Sequence, residues 1–254
     1  MSRRRFYAPP SAFNTDVLSV KLEAEEARHL RDVLRLKRGD EAFVFDGEGR
    51  EYRCLISESR RDGALLDISE EVVAARPESP LSLTLGVALL KSEKFDLVVQ
   101  KTTELGVDRI VPIMTRFAEV RLKEGAEGGN RVLRWKRIAL EAAKQSGRAR
   151  VPEISAPIAF ASLIESVSSK EEEPRLIFSE REGRGLLETV RQWPARPLAL
   201  TALVGPEGGW ADEEITQANL SGWSTITLGG RTLRAETAAI AVAALLQHLF
   251  GDLV

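Results

Sequence analysis

The sequence predicts an α/β protein in two parts, a small β-structured unit followed by a larger domain of alternating strands and helices. Three observations carry this. Before residue 74, short strand-like segments are separated by the turn signals GEG (47–49) and RDG (61–63). After residue 80, apolar strand runs alternate with amphipathic helical stretches. Between them AARPESP (74–80) has two prolines and no apolar periodicity, and reads as a linker. The expected organisation is 1–73, a linker at 74–80, and 81–254.

In the first part, FVFD (43–46), YRCLIS (52–57) and ALLDIS (64–69) have the spacing of a small antiparallel barrel or sandwich. Within YRCLIS, Tyr52, Cys54 and Ile56 alternate with Arg53, Leu55 and Ser57, which points one set into a core. One helix, about Ala24 to Leu36, interrupts the strands. Its apolar residues Ala27, Leu30, Val33 and Leu34 make an inward stripe and leave Arg28, Arg31 and Arg35 on another face.

In the second part, LSLTLGVALL (81–90) is a buried strand. Ser92 then caps a helix with Phe95, Val98, Val99 and Leu105 inward, Gly106 stops it, and RIVPIM (109–114) is the next strand. This is a βαβ unit, which implies parallel pairing. Further strands fall at 175–179, 198–204 and 224–228, each followed by a helical pattern, so the sheet is open and covered on both faces. KEGAEGGN (123–130) reads as a surface loop. The last helix, Ala238 to Phe250, is apolar nearly all round and needs cover on every side, from its own domain or from a second subunit.

Composition limits the function classes. The chain has 254 residues, 43% hydrophobic and 29% charged, with 36 Lys and Arg against 38 Asp and Glu, enough apolar content for a sizeable core. The uncharged run from Thr237 to Gly251 is shorter than the ~20 residues a membrane span needs. The basic N-terminus is followed by no apolar secretion signal, and a single cysteine, Cys54, allows no intrachain disulfide. His29 and His248 lie far apart, so no metal is expected, and the expectation is a protein of the reducing cytoplasm. The near-zero net charge hides local basic stretches. Arg28 to Arg38 holds five basic residues against Asp32, and Arg131 to Arg150 holds seven against Glu141. These are either solvated helix faces or a nucleic-acid footprint.

Two loops after strands stand out. In LVGPEGGW (203–210) three glycines let the backbone approach a ligand, yet no Lys-Ser/Thr follows and GxGxxG does not fit, so neither a P-loop nor a dinucleotide fold is indicated. In LGGRTLRAETA (228–238) a glycine pair precedes a polar cluster that opens a helix. Ligands of open α/β sheets bind at such strand ends.

With QKTTELGV (100–107) and EAAKQSGR (141–148), these loops resemble the bacterial 16S ribosomal RNA (uracil-N3)-methyltransferases of the SPOUT superfamily, over nearly the whole chain. RRRFY and HLRDVLRLKRGD (29–40) look like that family's PUA-like RNA-binding barrel. The resemblance implies a trefoil knot late in the α/β domain, S-adenosylmethionine held by the knot's loops, a homodimer, and a substrate of 16S ribosomal RNA or the assembled small subunit. The alternatives are a SPOUT enzyme for another RNA site and a non-catalytic RNA-binding assembly factor. By the resemblance, Val204, Gly205, Gly208, Gly209, Leu228, Gly229 and Leu233 surround the cofactor, and Ala235 and Thr237 close the pocket.

A uridine N3 must lose a proton before it accepts a methyl group, and a cation beside the ring oxygens stabilises the anion. Arg234 is the expected cation. Glu236 takes the proton, orients Arg234, or serves only as a carboxylate at a helix N-terminus. Gln145, able to donate and accept, suits a uracil edge. Arg3, Arg4, Arg5, Arg28, Arg31, Arg35, Arg148 and Arg150 are expected on phosphates. Lys91 and Lys94 match family positions or are helix-start charges, and Trp210 anchors its loop by packing. Ala211 stands where a capping Ser or Thr is usual, so the start of the following helix is expected to rely on Asp212 instead.

Overall fold

The computed structural model describes residues 3–120, 126–167 and 173–253. It divides into two units, Met1–Glu78 with Leu140–Val151, and Ser79–Ala139 with Pro152–Val254.

The first unit is built on a curled six-stranded sheet. Its strands are β1 (Arg5–Tyr7), β2 (Phe13–Asn14), β3 (Ser19–Glu23), β4 (Glu41–Phe45), β5 (Glu51–Ser59) and β6 (Gly63–Val72), in the order β1-β4-β5-β6-β3-β2. All pairs are antiparallel except β1 with β4. Two register shifts in the β5–β6 pair, at Arg53/Cys54 and Ile56/Glu58, bend the long strands and supply the curl. The outer strands β1 and β2 do not pair with each other, so the sheet is an open half-barrel rather than a closed one. The expected alternation in β5 is present, with Cys54 and Ile56 in a core that includes Phe6, Val20, Leu22, Leu30, Val44 and Leu66.

The helix expected from 24 to 36 is shorter. α1 (Ala24–Arg28) has one turn and passes into a π-type segment, His29–Val33, where the Leu36 amide reaches back to the Leu30 carbonyl at 3.0 Å. Arg35 then takes φ +54°. The wider turn changes the phase of the apolar stripe. Ala27, Leu30 and Leu36 are buried, whereas Val33 is 67% exposed and Leu34 faces out as well.

The second unit is a wholly parallel sheet. Its elements are β7 (Ser82–Ala88), α2 (Ser92–Glu104), β8 (Arg109–Met114), α3 (Ala126–Ser146), β9 (Glu153–Ile154), β10 (Ile158–Ala159), α4 (Phe160–Val167), β11 (Arg175–Phe178), β12 (Arg184–Gly185), α5 (Leu186–Val190), β13 (Ala199–Val204), α6 (Asp212–Leu220), β14 (Ser224–Thr227) and α7 (Ala235–Phe250). Only the last turns of α3, from Leu140, belong to the first unit. The strand order is β10-β8-β7-β13-β11-β14-β12, with β9 also on β8. The βαβ unit β7-α2-β8 forms as expected, and Phe95, Val98 and Val99 of α2 are fully buried. α2 begins at Ser92 with Lys91 in the capping position. Gly106, at φ +85°, ends it.

Two expectations change here. Residues 126–130 of the expected loop are the start of α3, and residues 121–125 lie outside the described residues. β11 is followed not by a long helix but by β12 and the one-turn α5. α7 packs on α2, β7 and β13, while α4 and α6 pack together around Phe160, Ile215 and Trp210. β11 lies between β13 and β14, and the chain returns from β14 to β13 and β7 through α7. No helix among the described residues is long and apolar enough to cross a membrane.

Candidate active site

β11, β13 and β14 end level with one another, Phe178 beside both Val204 and Ile226. The loops that leave these ends enclose a cavity of about 480 Å³, walled by residues 178–180, 204–208 and 227–235 with Ala238 and Val242 of α7 beneath. Both glycine-rich loops thus meet at one place.

The first loop is fastened by its tryptophan. Trp210 is fully buried, its Nε1 donates to the Phe178 carbonyl at 2.8 Å, and its ring packs on Phe160 at 5.3 Å. A side chain at 205 would put a Cβ 3.0 Å from Trp210 Nε1, tighter than ordinary contact, so glycine suits this closure. The Arg181 guanidinium donates to the Trp210 carbonyl and to Asp212 Oδ1. The start of α6 corrects the sequence reading. Glu214 Oε2 accepts from the Ala211 amide at 2.9 Å, half of a capping box, while Asp212 is taken by Arg181.

The second loop is shaped by Gly229 and Gly230, at φ +69° and +70°, a conformation costly for other residues. Neither has a heavy atom within 4 Å of where a Cβ would stand, so packing does not explain the missing side chains. The loop ends with Arg234 as the N-cap of α7. Glu236, in the first turn, is 9% exposed, and its Oε2 has no hydrogen-bond donor among the described residues.

Lys94 of α2 joins the two loops. Its Nζ is 2.7 Å from Glu207 Oε1 and 3.8 Å from Glu236 Oε2. The hydrogen bond that Lys94 donates to Glu207 raises the lysine pKa above its ordinary value. Partial burial pushes the Glu207 carboxyl up, but the Lys94 hydrogen bond and charge bring it below the ordinary value. Lys91, by contrast, pairs with the exposed Glu119 at 2.9 Å.

Residues 77–247 match the model of an RNA methyltransferase domain, and residues 22–69 that of an RNA methyltransferase PUA domain. The chain belongs to this RNA methyltransferase family. It is 34% identical over 220 residues to a ribosomal RNA small subunit methyltransferase E of Synechocystis, covering 87% of this chain and 70% of that one. The namesake of Bacillus subtilis is 28% identical, over 86% of both chains. Among solved structures, the Neisseria gonorrhoeae ribosomal RNA small subunit methyltransferase E bound to S-adenosyl methionine superposes with a TM-score of 0.86 at 32% identity and covers all of both chains. A Legionella pneumophila methyltransferase, described as putative and in complex with the same cofactor, gives 0.83 at 29% identity, over 99% of this chain and 100% of that one.

In this RNA methyltransferase the cavity wall includes Val204, Gly205, Gly208, Leu228, Gly229, Leu233, Ala235 and Arg234 of the residues expected around the site. Gly209 and Thr237 are not on it. Gly209 turns the loop toward Trp210 at φ +71°, and Thr237 is exposed. Gln145 lies in the other unit, on the last turn of α3, lining a separate cavity. Of the expected phosphate ligands, Arg4, Arg28, Arg35 and Arg150 are exposed. Arg5 and Arg148 are not available in this way, a correction that burial dictates. Arg5 is fixed by Glu51 at 3.0 Å and by the carbonyls of Lys144 and Arg148, and Arg148, 5% exposed, pairs with Glu78 at 2.8 Å. Arg3 shares Glu51 at 3.1 Å, and Arg31 holds Asp32 at 2.8 Å. Sequence reasoning missed the role of Glu207 and left Lys94 undecided. The only signal available was their position beside strand ends.

Proposed function

We propose that this chain transfers a methyl group from S-adenosylmethionine to N3 of a uridine in 16S ribosomal RNA of the small subunit. The observation that carries the reading is the strand-end cavity made by the two glycine loops, in a chain alignable over its full length with a cofactor-bound methyltransferase. The residues fit that cofactor. Loop backbone lining the cavity at 204–208 and 228–230 offers amide and carbonyl groups to an adenosine, and Leu228, Leu233, Ala238 and Val242 give apolar cover. Glu180 and Glu207 add negative charge suited to a cationic sulfur and amino group.

The bound cofactor supplies an electrophilic methyl group. The protein's share is alignment and charge. Arg234, at the cavity wall, stabilises negative charge on the uracil oxygens as N3 loses its proton. Glu236 holds an acceptor oxygen without a donor and takes that proton, with Lys94 beside it. Gly209 and Thr237 shape the cofactor loops from behind. The half-barrel unit carries RNA through Arg4, Arg28, Arg35 and Arg150, and the parallel-sheet unit carries the reaction. Two copies meet through α7, where Leu245 is 39% exposed beside the half-buried Ile240, Ala241, Ala244 and Leu249. The place of work is the cytoplasm, where ribosomal subunits are assembled, and no metal takes part.

The test is to incubate the protein with methyl-labelled S-adenosylmethionine and small ribosomal subunits lacking the modification, then identify labelled nucleosides by mass spectrometry. Label in 3-methyluridine is expected. Label in another nucleoside would overturn the atom and base, and no label would overturn the reaction.

A further inference from the structure

The half-barrel unit has a cavity of its own, about 910 Å³, bounded by the N-terminal strand, the π-type segment and the last turn of α3. Most of its cations are committed. Glu51, with no exposed surface, holds Arg3 and Arg5, and Lys144 pairs with Glu26 at 2.6 Å and Glu141 at 3.4 Å. Arg4 and Arg76 also line the cavity, both exposed and neither with an ion pair among the described residues. The carboxylates nearby are already matched by other cations, so these two guanidinium groups are its uncompensated charge.

Their positions are set by backbone. Arg76 donates its amide to the Gly147 carbonyl at 3.2 Å and runs parallel to Arg148, which puts it against the end of α3. Arg4 precedes β1, and its carbonyl accepts from the Phe43 amide at 2.9 Å. The cavity is also lined by Gln145, exposed and with no side-chain hydrogen bond among the described residues, and by Leu34, the apolar residue that the π-type turn sends outward. Free guanidinium groups, an unengaged amide with one donor and one acceptor side, and an apolar plate are the parts that hold one nucleotide.

We propose that this cavity binds a single unpaired nucleotide of the RNA substrate, its phosphate on Arg4 and Arg76, its base edge on the Gln145 amide and its face on Leu34. The inference rests on the substrate being RNA, and it moves Gln145 from the chemistry to substrate positioning.

The test uses a fluorescent single-stranded oligouridylate, an otherwise identical oligomer of abasic ribose phosphate, and anisotropy titrations over a range of salt. The double variant Arg4→Gln/Arg76→Gln is expected to bind oligouridylate on the order of tenfold more weakly, with the salt slope reduced by about 0.7 for each phosphate no longer neutralised. Gln145→Ala should weaken oligouridylate binding several-fold at an unchanged salt slope and leave the abasic oligomer unaffected, which a purely structural defect would not do. In the wild-type protein, photo-crosslinking of 4-thiouridine RNA should mark the peptides holding Leu34, Arg76 or Gln145, a result that does not depend on any variant folding. Binding and salt slope unchanged in the arginine variant, or crosslinks confined to other peptides, would overturn the cavity while leaving the methyl-transfer reading intact. A wild-type protein that binds no RNA would overturn both.

Discussion

The ammonium of Lys94 lies 2.7 Å from Oε1 of Glu207, so a side chain from α2 fixes the glycine loop that follows β13. The same Nζ is within 3.8 Å of Glu236, at the head of α7. One cation therefore couples both walls of the strand-end cavity. Lys94→Met should weaken S-adenosylmethionine binding on the order of threefold to fivefold, the range of a partly exposed pair, measured by calorimetry. The pH dependence has a definite sign. Glu207 binds its proton less readily in the folded state than in the unfolded chain, so the pair contributes above the ordinary glutamate value, about 4.3, and is lost on acidification through the depressed folded value. Lys94 is shifted upward, so its contribution is present below the ordinary lysine value and fades only as pH rises through the raised one. Affinity should be flat at neutral pH in the wild type and fall in acid, and Lys94→Met, which leaves burial to push the Glu207 carboxyl up, should move that acid limb to higher pH.

Arg234 caps α7 from the cavity wall and is exposed. Replacing it by alanine is expected to lower the rate of methyl transfer by about 10² to 10³, the cost of losing one stabiliser of a developing anion, with cofactor affinity largely kept. Turnover near normal in single-turnover assays would exclude its catalytic role.

The two loops were legible because glycines and polar residues gather after buried strands, and the structure brings them to one cavity. Packing accounts for the glycines of the first loop, which are crowded by Trp210, Phe117 and Glu180, but not for Gly229 and Gly230. The Lys94–Glu207 contact was not legible, because its partners are 113 residues apart and only the parallel sheet brings them together. The helix at 24–36 misled for a local reason. Its apolar spacing suits an α-helix, whereas the structure turns by a π-type segment after one turn and sends Val33 and Leu34 outward. The phosphate assignment of Arg5 and Arg148 failed because sequence shows charge and not burial. Each guanidinium is claimed by a carboxylate distant in the chain.

The loop glycines should separate by mechanism. Gly205→Ala forces a Cβ against the buried Trp210 ring and threatens its hydrogen bond to Phe178, so a loss of about 1–3 kcal/mol is expected. Gly229→Ala meets no atom and carries only the left-handed backbone penalty, about 1 kcal/mol. Urea unfolding should rank them in that order.

Cys54 offers a check on the half-barrel core. Burial, with a smaller push from Asp67, raises its thiol to about 12. The thiolate is the reactive form, so the native protein should resist a thiol-specific reagent at neutral pH and react only on unfolding. Rapid labelling of the native state would show that the curled sheet opens at β5.

Glu51 makes the strongest demand on the same unit. It has no exposed surface, receives Arg3 at 3.1 Å and Arg5 at 3.0 Å, and accepts the Ala75 amide at 3.0 Å. Glu51→Gln keeps the volume but removes the charge, leaving Arg5, whose side chain is 8% exposed, without its counter-ion. Breaking one side of a buried pair costs about 3–5 kcal/mol. Arg3, 31% exposed, can turn to water, and Arg5 keeps two carbonyl acceptors, so the lower end of that range is expected from the shift in the urea midpoint. An unchanged midpoint would mean that the carbonyls alone satisfy Arg5, and that the carboxylate serves to hold the arginines in place rather than to stabilise the fold.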